Sequence, residues 1–195
     1  MMVDCSEGAL PVETLAPGDR VLTRDHGPRP VIWTARREAV FGCEDYTDRP
    51  IRISARWVGA DQDLIVSPHH RILAMRDGAE VLVPAKALVS LHRIRQMRGC
   101  QHMIWHHFAL ATHERVRVNG LWSESLLLGP MVLNGLPRQA RSRLLVLFKP
   151  TCDDAINGPP ARPCLTIQQT RAFLKRHEAQ TPGLFLCDRV PMHTS

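Results

Sequence analysis

The sequence has no run of about 18 apolar residues, so no transmembrane helix is expected. Residues Met1 to Glu7 carry neither a basic region nor an apolar stretch and do not read as a signal peptide. By that absence the protein is expected in the cytoplasm, with its cysteines reduced. None of the six cysteines (Cys5, Cys43, Cys100, Cys152, Cys164 and Cys187) forms a Cys-x-x-Cys pair, which removes the strongest zinc signature. There is no Gly-x-x-x-x-Gly-Lys or Gly-x-Gly-x-x-Gly loop to cradle phosphates, and no Gly-x-Ser-x-Gly elbow of an α/β-hydrolase. A single tyrosine and the lack of any run of like charges leave little to stack on or steer a nucleic acid, so none is expected as a partner. No internal repeat is evident.

What is present is an ordinary globular composition: 195 residues, 44% hydrophobic and 23% charged, with a net charge of +6. The charge is unevenly placed. Residues 1–130 hold 16 basic and 15 acidic side chains, whereas residues 131–195 hold 9 and 4. The change of character near Pro130 suggests a β domain over 1–130 followed by a basic extension over 131–195.

The first two thirds read as short strands separated by turns. Ala16-Pro17-Gly18-Asp19 and Asp25-His26-Gly27-Pro28 are turn signals. Arg20–Arg24, Val31–Thr34 and Ile51–Ser54 have strand character, as do Leu64–Val66 and Arg71–Met75. Asp77-Gly78 predicts a hairpin to Glu80–Val83, and Asn119-Gly120 predicts another after Arg115–Val118. Pro84–Leu88 predicts one helical turn. Beyond Gly129, Arg138–Pro150 is basic and aliphatic, and Asp153–Pro163 reads as a loop. Thr166-Ile167-Gln168-Gln169 is a capping box, so a helix is expected at about 166–178, ended by Pro182-Gly183. The four tryptophans read as packing residues. The basic tail is a candidate cover for one sheet edge.

The sharpest local feature is Ser67-Pro68-His69-His70, at the end of a strand. A histidine there can pass a proton to a departing amide nitrogen, and a hydroxyl three residues earlier can orient the same group. The plain alternative is a turn with two partly exposed histidines. Ten histidines also raise metal binding, with His102 and His106 at i, i+4. On a strand, however, His106 and His107 point to opposite faces, no acidic residue lies between Gly99 and Ala111, and no standard zinc spacing is matched. Ordinary polar residues of a sheet are the competing account of these histidines.

Taken in order, several segments resemble the Hint (hedgehog/intein) domain family, in the bacterial subgroup common in alphaproteobacteria. Pro11–Thr23 is similar to its early segment, and Leu64–Leu73 to the block with a Thr/Ser-x-x-His motif. Val81–Lys86, His113–Val116 with Asn119–Ser125, and Ala161–Leu165 with the helix containing Arg171 resemble later parts. The resemblance spans roughly residues 8–178. It implies a mostly β fold, a horseshoe of short strands with a C-terminal helix, and self-processing rather than turnover. A cysteine or serine attacks the preceding carbonyl, and the resulting (thio)ester is cleaved or transferred. Carried over, His70 acts on the scissile amide nitrogen, Ser67 is its hydroxyl partner, and His113 is a further site histidine on a closing strand. The partner implied is the chain's own N-terminal flanking polypeptide, and no cofactor or metal is implied.

The sequence departs from that pattern at its start. The family's nucleophile lies about a dozen or more residues before the Pro-Val-Glu segment, whereas Cys5 is six residues before Pro11. The usual first strand is not visible, and Cys5 aligns with the first turn. Asp4 and Glu7 beside it would raise a thiol pKa rather than lower it. Cys5 is nonetheless kept as a candidate nucleophile. Three readings stay open: a start lying upstream, a domain that has lost the reaction, and an interaction module that keeps the fold.

Overall fold

A computed structural model of the chain describes residues 1–43, 47–148, 155–176 and 185. The chain opens with a hairpin of β1 (Met2–Cys5) and β2 (Gly8–Pro11), then a 3₁₀ turn over Val12–Thr14. The Pro17-Gly18 turn, with Gly18 at φ +104°, delivers β3 (Arg20–Thr23), and the Asp25–His26 turn delivers β4 (Gly27–Val40). Three short elements follow: β5 (Ile51–Ile53), α1 (Ala55–Val58) and β6 (Leu64–Val66). The Asp77-Gly78 hairpin joins β7 (Arg71–Arg76) to β8 (Ala79–Pro84), and Ala85–Ser90 forms the expected helical turn in 3₁₀ geometry. Then come β9 (Ile94–Gln96), β10 (His102–Leu110), β11 (Arg115–Val118) and β12 (Leu121–Glu124). The helices α2 (Pro130–Asn134), α3 (Arg138–Leu147) and α4 (Ile167–Arg176) close the chain.

Nine strands form one antiparallel sheet in the order β10-β4-β3-β1-β11-β12-β7-β8, with β2 added to β1. The sheet curls on itself: β3 pairs with β1 through Val21 and with β11 through Thr23. A small sheet, β6-β5-β9, packs beside it. The expectation of a mostly β body with a C-terminal helix is met. One buried cluster joins Val3, Val21, Ile53, Ile72, Val116 and Leu121 to Leu165, Phe173 and Leu174 of the C-terminal region. A second is made of Ala109, Leu128, Leu133, Leu144, Phe148 and Ile156.

The sequence reading differs from the structure at the ends of elements. Cys5 does not lie in a turn but closes β1 opposite Gly8, and the Ser6–Glu7 turn follows it. β4 is far longer than Val31–Thr34. Its first part pairs with β3 and the rest with β10. Pro28 and Pro30 are tolerated because β10 covers only the part from Val31 onward, leaving one side of the proline stretch without a ladder. The capping box at Thr166 forms in both directions: Thr166 N donates to Gln169 Oε1 at 2.9 Å, and Gln169 N donates to Thr166 Oγ1 at 3.1 Å. The last two residues of the expected helix, and Pro182-Gly183, lie outside the described residues.

The sheet edge at β8 is covered by the segment before α4. Leu82 N donates to Pro163 O and Leu165 N donates to Leu82 O, both at 2.9 Å. That is the edge protection expected of the tail.

Candidate functional site

The turn after β6 places Ser67 and His70. Pro68 is buried, and His70 N donates to Ser67 O at 3.1 Å, which closes the turn and starts β7. Register then brings in residues far along the chain. Ile72 of β7 lies opposite Ser123 of β12, so Ser123 and Glu124 face the backbone of residues 70–72. His70 Nε2 lies 2.6 Å from Ser123 Oγ, and Ser123 Oγ donates to Arg71 O at 3.0 Å.

One arrangement of protons makes both contacts at once. A carbonyl can only accept, so with the serine proton on Arg71 O, Ser123 Oγ accepts from a His70 ring protonated on Nε2. That arrangement leaves the Nδ1 lone pair unshared. Burial holds the His70 pKa below its ordinary value, aided by Arg71 and His113 and opposed by Glu124. Near neutral pH this ring is a base.

Glu124 is the charged centre of the cluster. Its Oε1 accepts from Arg71 N at 2.9 Å, and its Oε2 lies 3.3 Å from Arg71 Nη1 and 3.4 Å from His113 Nε2. Burial by itself would raise this carboxyl, but His113, His70 and Arg71 together hold it below the usual glutamate value. His113 is fully enclosed, with its Nδ1 accepting from Ala161 N at 3.0 Å. From β10, His107 lies close enough to feel the charge of His70. Burial, His70, Arg37 and His106 push its pKa down to about 4.

Of the residues singled out from sequence, the structure brings His70 and His113 together around Glu124. Ser67 joins through its backbone carbonyl, and the hydroxyl on the His70 ring is that of Ser123. Cys5 is elsewhere. It belongs to the main hydrophobic cluster, its Sγ donates to Val3 O at 3.6 Å, and its thiol pKa is raised by burial, Asp19 and Asp4. Glu7 plays no part in that shift, being exposed in the hairpin turn. Among the described residues, Cys5 shares no hydrogen bond or charge interaction with His70 or His113. Among the same residues, no three His, Cys, Asp or Glu side chains converge to hold a metal ion. No helix there is long and apolar enough to cross a membrane.

Sequence reasoning missed Ser123, Glu124, Arg71 and His107 as site residues. Ser123 and Glu124 stood in plain view in Asn119–Ser125, but nothing local to that segment says that its side chains meet His70.

Among the solved structures similar to this chain are two inteins. One is a GSH-linked, splice-inactive variant of the AceL NrdHF class 3 split intein, 19% identical, with a TM-score of 0.37 over 63% of this chain and 92% of the intein. The other is the MchDnaB-1 intein, 13% identical, with a TM-score of 0.39 over 63% of this chain and 94% of that one. Neither likeness bears on activity. No curated protein matches the chain. The profile of the Hint domain family matches residues 1–130, two thirds of the sequence, and this chain belongs to that family.

Proposed function

We propose that this Hint domain processes a polypeptide attached to it, with His70 as the group that moves the proton. The observation that carries the reading is the pair of contacts at Ser123 Oγ, which are made together when His70 Nε2–H donates to Ser123 and the Nδ1 lone pair is left for the reaction. In the proposed step a thiol or hydroxyl attacks the carbonyl of a peptide bond. His70 Nδ1 takes the proton of the attacking group as the carbon–sulfur or carbon–oxygen bond forms. It returns that proton to the amide nitrogen as the carbon–nitrogen bond breaks, leaving a (thio)ester and a free amine. The Ser67 hydroxyl is assigned to orient the amide. The negative charge of Glu124 favours the protonated ring in the middle of the step.

Cys5 is a poor candidate for the attacking group in this reading. Its thiol is held protonated by burial and two carboxylates, and its surroundings are those of a packing residue. The attacking group is assigned instead to the attached polypeptide.

Two fusions test this by intact mass. In one, a stable partner is joined directly ahead of Met1. In the other, a strand containing one cysteine is placed between partner and Met1. Both are incubated with and without a small thiol. Release from the second fusion only is the expected outcome, slowed about 100-fold or more by His70→Ala. Release at Cys5 in the first fusion would return the nucleophile role to Cys5. Unchanged masses in every sample would leave a Hint fold that serves only as an interaction module.

A further inference from the structure

The match to the family ends at residue 130, yet His113 is held by atoms that come later. His113 N donates to Asn157 O at 3.0 Å, and its Nδ1 accepts from Ala161 N, also at 3.0 Å. Asn157 is tied down in turn, accepting from Leu128 N and donating to Leu126 O, each at 2.8 Å. Arg162, which follows Ala161, is anchored in an ion cluster. Its Nε donates to Glu80 Oε2 at 2.8 Å and its Nη2 to Asp25 Oδ1 at 3.1 Å. The same two carboxylates grip the buried Arg115, and Glu80 also takes Arg24.

A backbone N–H can only donate, so the Nδ1 that receives the Ala161 amide carries no proton. A neutral His113 must then carry its proton on Nε2, and Glu124 Oε2 lies 3.4 Å from that nitrogen, an ion-pair distance that does not make a hydrogen bond. Glu124 and His70 act on each other through charge. The linkage runs from Arg162 through the Ala161 amide and His113 to Glu124, whose charge reaches the His70 ring.

We propose that the segment 155–165 is a positioning clamp for the site, in which Arg162 sets the Ala161 amide against His113 Nδ1 and so fixes the His113 proton on the nitrogen facing Glu124. Arg162 is thus a positioning residue that acts on the reaction without touching the substrate. The inference rests on the function proposed above only in its kinetic consequence. The tautomer itself is a property of the resting chain.

The test is the ring-nitrogen NMR spectrum of His113 in the full chain, assigned with a His113→Gln control. The groups facing this ring are Glu124, the Ala161 amide and His70, so the spectrum is recorded near pH 7.5, above the ordinary histidine pKa. The wild-type ring is expected as the Nε2–H tautomer. Arg162→Ala is expected to mix the tautomers, and Arg162→Lys to restore much of the original state by keeping one cation between Asp25 and Glu80. Ala161→Pro deletes the donated N–H directly with Arg162 in place, and it is the deciding variant should Arg162→Ala unfold. A wild-type ring protonated on Nδ1 overturns the proposal, as does an unchanged tautomer in folded Ala161→Pro. In the releasing fusion, Arg162→Ala is expected to slow release about 100-fold, with Arg162→Lys recovering most of the rate. A mixed tautomer with an unaltered rate refutes the link to chemistry. A fixed tautomer in a chain that never releases its partner overturns the self-processing reading and leaves the clamp standing.

Discussion

At the scale of residues, the site keeps two histidines neutral by burying them, and this has a consequence for stability. His107 has its pKa pushed down to about 4 from an ordinary value of 6.5, and His70 is shifted in the same direction. A depressed histidine contributes its full stabilisation above about pH 6.5. As pH falls the unfolded chain takes up the proton first, so that contribution is lost between about 6.5 and the folded-state value. For His107 the loss amounts to up to about 3 kcal/mol. The carboxylates Asp25, Glu80 and Glu124, all held below their ordinary values, contribute to acid loss only at lower pH, beneath about 4.5. The interval from 6.5 to 4.5 therefore belongs mainly to the histidines. Urea unfolding across that interval is expected to show falling stability, with His107→Gln reducing the fall by about 2 kcal/mol. A variant that falls as steeply as the wild type would place the sensitivity elsewhere.

The same scale shows what sequence could and could not reveal. His70 is legible because its motif is local: it lies three positions after Ser67, within one turn. Its partner is not, because Ser123 is 53 positions away and becomes a neighbour only through the β7–β12 register. The raised thiol of Cys5 has a cause that the sequence shows in part. Acidic neighbours were visible in the sequence, although Asp19 acts in place of the expected Glu7.

At the scale of elements, glycine and proline punctuation located the hairpins well. The Asn119-Gly120 turn shows why. Asn119 and Gly120 adopt φ of +47° and +80°, and a Cβ on Gly120 would sit 2.6 Å from Asp61 Oδ2 and 3.1 Å from Asp61 N. Asn119 itself accepts from Met2 N at 2.7 Å and donates to Asp63 O at 3.0 Å, so this turn fastens β1 and the loop before β6. Gly120→Ala is expected to cost about 1–3 kcal/mol through left-handed backbone strain and the displaced Asp61, measured by chemical denaturation. Thr166→Ala, which removes the hydroxyl half of a solvent-exposed capping box and leaves the backbone half, is expected to cost about 1 kcal/mol by the same measurement. The element least legible was α3. Its sequence shows no clear apolar stripe because only Leu144 is buried, while Leu145, Val146 and Leu147 are exposed to 43%, 83% and 52%. Periodicity signals a helix only where one face is covered.

At the scale of the whole molecule, the basic last third contributes structure to the β body. Leu165, Phe173 and Leu174 complete the main core beside Ile53 and Ile72, and Leu133, Leu144 and Phe148 enclose Ala109 and Leu128. Part of the basic excess has a structural partner too, because Arg162 shares Asp25 and Glu80 with Arg115. Removing this region would uncover two hydrophobic surfaces, open the β8 edge and leave a buried histidine without its amide partner. Phe173→Ala tests the first of these with little disturbance elsewhere. Phe173 is 7% exposed on a helix whose outer face is polar, so its truncation is expected to cost about 3–5 kcal/mol while unfolding stays a single transition. A chain ending at Pro130 is expected to lose cooperative melting altogether, monitored by near-ultraviolet circular dichroism, because all of these losses fall together. Should that shorter chain melt cooperatively, the family segment would be a folding unit in its own right, and the packing of Phe173 would be an attachment to a finished core. If it does not, the segment that closes the core is also the segment that sets the His113 proton, and folding and positioning of the site depend on one stretch of chain.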